Sequence, residues 1–328
     1  MRVLALMFLL ALCLSLGASD SGQRDILGLE ARITATPVLL DSHDPARIKV
    51  GALTYLGGVR LRSPDLAFGG FSAMQVVGDR FLLVSDAGNI VRFRMDAAFR
   101  ISEASFGDVR IGPGTGQYKP ERDIESLTSD PATGRIWLGY ERENAIWRYD
   151  ATLLRSARAV RPAAMRGWST NGGPESMVRL RDGRFIVISE TSRPKGPLAR
   201  TGREALMFAG DPTEAPDRGF GFVYVPPAGF DPSDMTELPD GRLLILNRRF
   251  AVPSLFTARI TLVDPGAIRP GAAVQGREIA AFASPLLHDN FEALAVTREG
   301  KDTILWMASD DNQQFWEQSL LLKFRVEL

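Results

Sequence analysis

An internal repeat constrains the fold of this 328-residue chain more than any other feature of its sequence. Each copy has a small or acidic cluster followed by Met or Leu, then a short strand, a turn rich in Gly and Asp, and a strongly apolar strand. The five copies align on Ser72, Glu125, Glu175, Ser233 and Glu292. These positions are 50 to 59 residues apart. A period of this length, with several strands in each copy, is typical of the blades of a β-propeller.

The length of the chain sets the expected number of blades in this all-β fold. About 309 residues remain from Asp20 onward, and a period of about 50 residues predicts about six four-stranded blades. Five copies are visible, so we expect the sixth blade to be shared between the two ends of the chain, where residues 33–40, 48–61 and 319–328 are strand-like. Pairing of these N- and C-terminal strands would close the ring and remove exposed sheet edges. Residues 193–219 have no strand pattern and are expected to form a long loop.

The first residues have the pattern of a secretory signal peptide. Arg2 precedes an apolar run over residues 3–16, and small residues follow at 17–19. The run has 14 residues, which is short for a membrane span of about 20. We therefore predict that residues 1–19 are removed, that residues 20–328 form one domain without a membrane span, and that the protein is periplasmic or secreted. Cys13, the single cysteine, would be lost with the leader, so the mature chain would have neither disulfides nor thiolate ligands.

The overall charge argues against one class of partner. Lys and Arg together number 39, as do Asp and Glu, so the formal net charge is zero. A chain of this kind has no bulk electrostatic attraction for nucleic acid. We expect a monomer that acts on a small, anionic molecule.

The repeat also predicts where acidic side chains meet. A hairpin returns to the sheet edge from which it starts, so the cluster that opens each first strand and the residue that closes each second strand lie at the same face. One ring is predicted from Glu125, Glu175 and Glu292, with Ser72 and Ser233 in the other blades. A second ring is predicted from Asp86, Glu141, Glu190 and Asp310, with Arg248 in the fourth copy. Asp123, Asp234 and Asn290 are expected beside them.

Carboxylates that converge in this way must be protonated, paired with cations or bound to a metal. Oxygen ligands favour Ca²⁺, Mg²⁺ or Mn²⁺, and we expect Ca²⁺. The predicted metal ligands are Glu125, Glu175, Glu292, Asp86 and Asp123. The predicted catalytic residues are Glu190 and Asp310 as proton acceptors, and Arg248 and Arg249 as groups that stabilise negative charge. Glu141, Asp234 and Asn290 are further candidates at the same face. In the alternative interpretation, the acids are structural and accept backbone N–H bonds between blades.

Five ordered motif pairs carry a family resemblance. They are FGGFSAM with LLVSDAG, DIESL with WLGYERE, GPESM with IVISE, FDPSDM with LLILNRRF, and DNFEAL with MASDDN. From about Gly57 onward the chain resembles the phytase-like family, also called "esterase-like activity of phytase" proteins. The resemblance implies an exported bacterial propeller whose acids carry out phosphoester or phosphodiester hydrolysis. By resemblance the site residues are Asp86, Asp123, Glu125, Glu141, Glu175, Glu190, Asp234, Glu292 and Asp310, with Arg248 and Arg249. The chain departs from the family at WEQ, residues 316–318.

Taken together, the acids and the resemblance predict an exported, metal-dependent hydrolase of phosphate mono- or diesters. A lactonase or carboxylic ester hydrolase would use the same metal and base. A binding propeller without catalysis is the competing class. Binding surfaces rely on aromatic anchors more than on convergent acids, and the motifs contain few aromatics beyond Phe71, Phe230 and Phe291, which favours the enzyme.

Overall fold

The computed structural model describes residues 22–328, so the predicted leader and Cys13 lie outside the described residues. The described chain is all-β, with strands in five sheets and three short 3₁₀ helices at Lys119–Glu121, Ala163–Met165 and Pro265–Ala267. No helix of the described residues is long and apolar enough to cross a membrane. The predicted β-propeller is confirmed.

The strands follow the repeat in chain order. The N-terminal strands are β1 (Thr34–Pro37), β2 (Lys49–Val50) and β3 (Leu53–Arg62). Blade 1 consists of β4 (Phe71–Val77), β5 (Arg80–Ser85), β6 (Asn89–Met95) and β7 (Ile101–Asp108). Blade 2 consists of β8 (Ile124–Asp130), β9 (Arg135–Tyr140), β10 (Ala145–Tyr149) and β11 (Ser156–Val160). Each of these sheets is antiparallel, with the first strand innermost.

The later blades are less regular. Blade 3 consists of β12 (Ser176–Arg179), β13 (Phe185–Ile188), β14 (Arg203–Phe208) and β15 (Gly219–Val225). Blade 4 consists of β16 (Asp231–Glu237), β17 (Leu243–Ala251), β18 (Leu255–Val263) and β20 (Arg277–Phe282). Between β18 and β20 the chain crosses to blade 3, where β19 (Ala273–Gln275) pairs in parallel with β15. Blade 5 consists of β21 (Phe291–Glu299), β22 (Asp302–Ser309) and β23 (Leu320–Val326), together with β1 to β3.

The prediction of about six blades is wrong, because the described residues form five. The terminal strands do not make a sheet of their own: β3 pairs antiparallel with β23 and thereby completes blade 5. The residues that the period assigned to a sixth blade lie instead in connections between strands, of which those at residues 109–123, 161–175 and 189–202 are long. Closure of the ring by N- and C-terminal strands, in contrast, is confirmed.

The predicted loop over residues 193–219 contains a strand, β14, between β13 and β15. The sequence did not predict this strand, because β14 begins with the charged residues Arg203 and Glu204 and has only a short apolar run after them. Arg203 is buried, and its guanidinium ion-pairs with Asp231 and donates to the carbonyl of Glu190 over 2.6 Å. A buried arginine is tolerated because its donors are satisfied in this way.

The hydrophobic core lies between neighbouring blades. Trp137 of blade 2 packs edge-on against Phe185 of blade 3 at 5.0 Å between ring centroids. Phe81 of blade 1 meets Trp306 of blade 5 in the same way at 4.8 Å. Middle strands such as β5 and β9 are apolar on both faces because each blade is covered on two sides.

The five inner strands, β4, β8, β12, β16 and β21, surround the central axis, and each lies beside two others. Four of them have a β-bulge at the same place, which falls on Ser72, Glu125, Ser233 and Glu292. In blade 3 the equivalent residue, Glu175, immediately precedes β12. A bulge leaves its extra residue unpaired and changes the direction of its side chain. The fold therefore presents the aligned residues of the repeat at one end of the axis.

Candidate functional site

The strand register brings the predicted acids to one face. Phe71 lies opposite Ser85, and Phe291 lies opposite Ser309, so each inner strand begins where the second strand ends. We name this end the acidic mouth. In the described residues it contains eight carboxylates and three cations. These are Asp86, Asp123, Glu125, Glu141, Glu175, Glu190, Glu292 and Asp310, with Lys119, Arg142 and Arg248.

Two groups of three carboxylates come close enough to share an ion. Asp123, Glu125 and Glu141 offer oxygen atoms within 4.8 Å of one another. Glu141 also forms such a group with Glu175 and Glu190. The shared Glu141 is oriented by the backbone N–H of Gly172, which donates to its Oε1. The sequence predicted Glu141 as a member of the second ring and a further candidate at this face, and it predicted Glu190 as a catalytic residue.

Asp123 is held in an unusual backbone conformation, with φ at +29°. A non-glycine residue in this region is strained, and such strain concentrates at functional sites. The guanidinium of Arg142 lies 3.2 Å from its Oδ2. Burial, and then repulsion by Glu141, raises the pKa of Asp123 to about 8. Asp123 therefore has a strained backbone, an ion pair with Arg142 and a raised pKa. These three features together make it a candidate functional residue.

Glu125 and Glu175 have the least support within the protein. No hydrogen bond from the described residues reaches either carboxylate, whereas Glu141, Glu190 and Glu292 each accept one. Burial raises the pKa of both well above the ordinary range, and repulsion by Glu175 adds to the effect on Glu125. A buried carboxylate without a donor must bind a proton or a cation.

Arg248 of blade 4 organises the opposite side of the mouth. Its guanidinium donates to Glu190 over 2.8 Å and to the Asn290 side-chain oxygen over 2.9 Å, and it lies 2.9 Å from Glu292 Oε1. The Asn290 amide also donates to Glu292 over 2.8 Å. Burial raises the pKa of Glu292 to about 7, although Arg248 opposes that rise. Glu292, a predicted metal ligand, is therefore committed to Arg248 in this structure.

Asp86 and Asp310 lie on the blade 1 and blade 5 side. The Lys119 ammonium is 2.6 Å from Asp86 Oδ2. Asp310 is buried and accepts the backbone N–H of Asn312 over 2.5 Å. Burial raises its pKa well above the ordinary range, and Glu292 and Asp86 add to the effect. Asp310 belongs to neither group of three carboxylates.

Sequence reasoning missed Lys119. It lies four residues before Asp123, in the long connection between blades 1 and 2, where the repeat gives no equivalent position in the other copies. The sequence feature that could have indicated a role for Lys119 is its position four residues before the start of the DIESL motif.

Two predicted residues lie apart from the carboxylate groups. Asp234 accepts the backbone N–H groups of Met235 and Leu294 over 2.7 and 2.6 Å, so its carboxylate links the inner strands of blades 4 and 5. Arg249 follows Arg248 in the same strand and therefore points to the other side of the sheet. Its guanidinium lies 5.3 Å from the centre of the Phe230 ring.

Serine hydroxyls fix the chain just before each ring glutamate. Ser72 donates to the carbonyl of Ile124 over 2.5 Å, and Ser126 donates to that of Pro174 over 2.6 Å. Ser233 donates to the carbonyl of Phe291 over 3.2 Å. Each bond joins one blade to the next, and the accepting residue precedes Glu125, Glu175 or Glu292. The ring glutamates are thus positioned by contacts between blades.

The donor set fits a divalent cation. Carboxylate oxygens are the ligands that Ca²⁺ and Mg²⁺ prefer, and Glu125 and Glu175 have acceptor capacity that the described residues do not use. The residues that would hold it are Asp123, Glu125, Glu141, Glu175 and Glu190. With eight carboxylates against three cations, a bound cation would also relieve repulsion within the mouth.

Comparison with solved structures gives distant similarities. A gluconolactonase from Xanthomonas campestris has a TM-score of 0.45 at 11% identity, over 90% of this chain and 98% of that one. A nidogen/laminin complex has a TM-score of 0.41 at 9% identity, over 85% and 97%. Hydrazine synthase from Kuenenia stuttgartiensis has a TM-score of 0.37 at 9% identity, over 75% of this chain, and the match spans only 58% of the synthase chain.

Sequence comparison is more specific. A search of curated proteins found no match. The model of a protein family described as "Phytase-like: Esterase-like activity of phytase" matches residues 66–313, which contain all eight carboxylates of the acidic mouth. That range covers well over half of the chain, and the chain therefore belongs to the phytase-like family.

Proposed function

We propose that the protein is a hydrolase of ester bonds, with phosphate mono- or diesters as its first substrate class, and that its acidic mouth holds a divalent cation, Ca²⁺ before Mg²⁺ or Mn²⁺. The observation that carries this proposal is the convergence of two carboxylate groups on the shared Glu141, in a chain of the phytase-like family. Lactones and carboxylic esters are the alternative substrates, since the same groups would serve them.

We assign different roles in the reaction to different side chains of the acidic mouth. Asp310 lies outside both carboxylate groups and is the residue that we assign to accept a proton from the attacking water. Because its pKa is raised, Asp310 gains its charge only as the pH rises, and activity should rise with it. Arg248 keeps Glu190 and Glu292 in place. When bound, a divalent cation supplies Lewis-acid polarisation of the ester oxygen.

A hydrolysis panel with and without Ca²⁺ tests the proposal. The substrates are an aryl phosphate, a bis-aryl phosphate, phytate, a lactone and a carboxylic ester. Glu125→Gln and Glu175→Gln should each reduce any Ca²⁺-dependent activity by roughly 100-fold or more, because each removes a ligand charge near the reacting group. Asp182→Asn is the matched control, since Asp182 caps the exposed β12–β13 turn at the opposite face.

Full activity in both glutamine variants would place the reaction elsewhere. If the calcium-loaded protein hydrolyses nothing in the panel, the competing interpretation of a binding propeller takes precedence.

A further inference from the structure

The second strand of blade 4 rises above the acidic mouth. The other second strands, β5, β9, β13 and β22, end before the closing acid of their copy of the repeat, whereas β17 continues past Arg248 to Ala251. Its pairing with β18 continues over the same residues, up to the pair of Ala251 with Leu255. At about 3.3 Å per residue, the hairpin projects about 10 Å beyond Arg248. His288 Nδ1 donates to the carbonyl of Phe256 over 2.7 Å and ties the hairpin to the connection that leads into blade 5.

The projecting hairpin presents two aromatic rings on the same side as Arg248. Side chains alternate along a strand, so Phe250 lies on the same face of β17 as Arg248. That face is directed toward blade 5, because Leu244 and Leu246 pack into the core that blade 4 shares with blade 5. Phe256 is paired with Phe250 across the hairpin, and their ring centroids are 5.0 Å apart. Phe250 is nevertheless 44% exposed, so part of this apolar surface faces solvent.

Blade 5 contributes a second aromatic pair, from the loop between β22 and β23. Phe315 is 91% exposed and packs edge-on against Trp316, with 4.6 Å between the ring centroids. The Trp316 indole donates to Glu317 Oε1 over 3.0 Å, and the Asn312 amide donates to Glu317 Oε2 over 2.7 Å. The positive charge of Arg248 also reaches this carboxylate, since it opposes the rise in pKa that burial of Glu317 causes. The loop therefore borders Arg248 from the blade 5 side.

The loop between β22 and β23 is held in a defined conformation. The Asp311 carboxylate accepts the backbone N–H of Gly70 over 3.0 Å and the Ser319 hydroxyl over 2.6 Å. Asn312 and Gln313 both have positive φ, at +45° and +52°. Two successive non-glycine residues in this region are strained, and such strain persists only where surrounding contacts enforce it. The exposed rings are therefore carried on an ordered loop, which lowers the entropy cost of binding a ligand.

The four aromatic side chains form an apolar feature at the border of a charged site. We name them the aromatic rim: Phe250 and Phe256 on the blade 4 side of Arg248, and Phe315 and Trp316 on the blade 5 side. Apolar surface that stays exposed beside polar groups is typical of a site that binds an apolar part of a ligand. Trp316 belongs to WEQ, at which the chain departs from the phytase-like family, so membership of the family does not account for the rim.

We infer that the aromatic rim binds an apolar group, aromatic or branched aliphatic, of the molecule whose ester reacts at the acidic mouth. The rim lies directly above Arg248, which contacts Glu190 and Glu292 of the mouth, so one ligand can occupy both. The inference rests on the proposed function and deepens it, because it names the substrate as an amphipathic ester rather than the ester of a wholly polar alcohol. Phe250 and Phe315 are its specificity-determining residues, one on each side of Arg248.

Pairs of substrates that differ in one apolar group test the rim. The pairs are benzyl and methyl phosphate, benzyl methyl and dimethyl phosphate, and benzyl and methyl acetate. Benzyl alcohol and methanol are of nearly equal acidity, so a difference in rate within a pair reports binding rather than reactivity. For each pair that the calcium-loaded protein hydrolyses, kcat/KM should be about tenfold or more higher for the benzyl ester, because its ring is buried on binding.

The double variant Phe250→Ala with Phe315→Ala should lose this preference. It should raise KM for the benzyl ester, while kcat/KM for the methyl ester changes by less than about threefold. Leu154→Ala is the control, because Leu154 is comparably exposed but lies in the β10–β11 turn at the opposite face. A wild-type protein without a benzyl preference, or an equal loss on both esters of a pair, would overturn the inference.

Binding of N-phenyl-1-naphthylamine, a neutral aromatic probe whose fluorescence rises in apolar surroundings, separates this inference from the proposed function. Wild-type protein and Leu154→Ala should bind it, and the double variant should bind it about tenfold more weakly. If that pattern is found without hydrolysis of any ester, the apolar subsite stands and the hydrolase proposal fails. If a folded double variant binds the probe as the wild type does, the inference is wrong, whether or not the protein is a hydrolase. A wild-type dimer that the double variant dissociates on size-exclusion chromatography would assign the rim to a second copy of the chain and would also overturn the inference.

Discussion

The carboxylates of the acidic mouth differ in the charge that surrounds them. Glu190 and Glu292 pair with Arg248, and Asp86 pairs with Lys119, whereas Arg248 acts on Glu125 and Glu175 without an ion pair in the part of the chain that the structure describes. Removing them from water favours their neutral forms, and mutual repulsion acts in the same direction. A divalent cation bound beside them would favour their ionised forms. Under the proposed function, the protonation state of the mouth is therefore coupled to metal binding.

This coupling predicts a pH-dependent stability. The folded-state pKa is about 8 for Asp123 and about 7 for Glu292, against ordinary values near 4, so the folded protein binds more protons than the unfolded chain between about pH 4 and pH 8. The free energy of unfolding of the cation-free protein must then fall as pH rises through that range. One pKa unit corresponds to about 1.4 kcal/mol, so a loss of several kcal/mol is expected. Thermal melts in a chelator at pH 5 and pH 8 measure it.

Calcium should change this profile. At pH 8 it should raise the melting temperature, since binding to the folded state stabilises it, and at pH 5 it should have little effect because protons compete for the same oxygens. Glu125→Gln removes one of the repelling charges and should make the cation-free protein more stable at pH 8 than the wild type. A wild-type melting temperature that is unchanged by Ca²⁺ at pH 8 would show that the carboxylates are structural.

Among the strands, the predicted site residue Asp234 links the inner strands of two neighbouring blades by hydrogen bonds. Asp234 follows the bulge of β16 and accepts N–H bonds from its own strand and from β21 of the next blade. Both of its oxygens are used by backbone donors, an arrangement that fits the alternative interpretation of the acids. Asp234 lies one position after the bulge residue Ser233, whereas Glu292 is itself the bulge residue of its strand, so the two carboxylates leave the backbone at different positions of the repeat.

Asp234→Asn should therefore affect stability rather than metal binding. The amide can accept at one oxygen only, so one buried backbone N–H loses its partner, at a cost of about 1 to 3 kcal/mol. Denaturant melts should show this loss, while calcium affinity stays within about threefold of the wild type. Asp240→Asn is the control, because Asp240 caps an exposed turn of the same blade. A large loss of calcium affinity in Asp234→Asn, with unchanged stability, would contradict the assignment.

For the whole molecule, ring closure depends on strands that are far apart in sequence. β3 supplies blade 5 with buried residues such as Leu53, Val59 and Leu61, and it covers the edge of β23. Their burial contributes about 1.5 to 3 kcal/mol for each large side chain. An open propeller would also expose the row of unpaired N–H and C=O groups of β23.

A chain shortened at its N-terminus to begin at Ser63 should lose cooperative folding. It lacks β1 to β3, so blade 5 loses half of its strands and the edge of β23 becomes available to other chains. Size-exclusion chromatography should show aggregates, and circular dichroism should show no sharp melt. A monomeric, cooperatively melting product would mean that the remaining strands close the ring unaided.

The sequence predicted the propeller, the pairing of its ends and the face on which the acids meet, because these depend on a repeat whose register is regular. It did not predict five blades, since the lengths of the connections at 109–123 and 189–202 cannot be told from blade length. It also did not predict Lys119, which lies in a connection that has no equivalent in the other copies. The sharing of Glu141 was not predicted either, since it depends on distances between blades that the repeat does not give.

The repeated bulge has a consequence for how such a protein can diverge. In four blades the backbone turns the same residue toward the axis whether that residue is Ser72, Glu125, Ser233 or Glu292. The bulge position therefore accommodates either serine or glutamate without a change of strand register. Descendants of one ancestor could therefore gain or lose a charge at the mouth by a single codon change in any blade, and so acquire new chemistry while the scaffold stays constant.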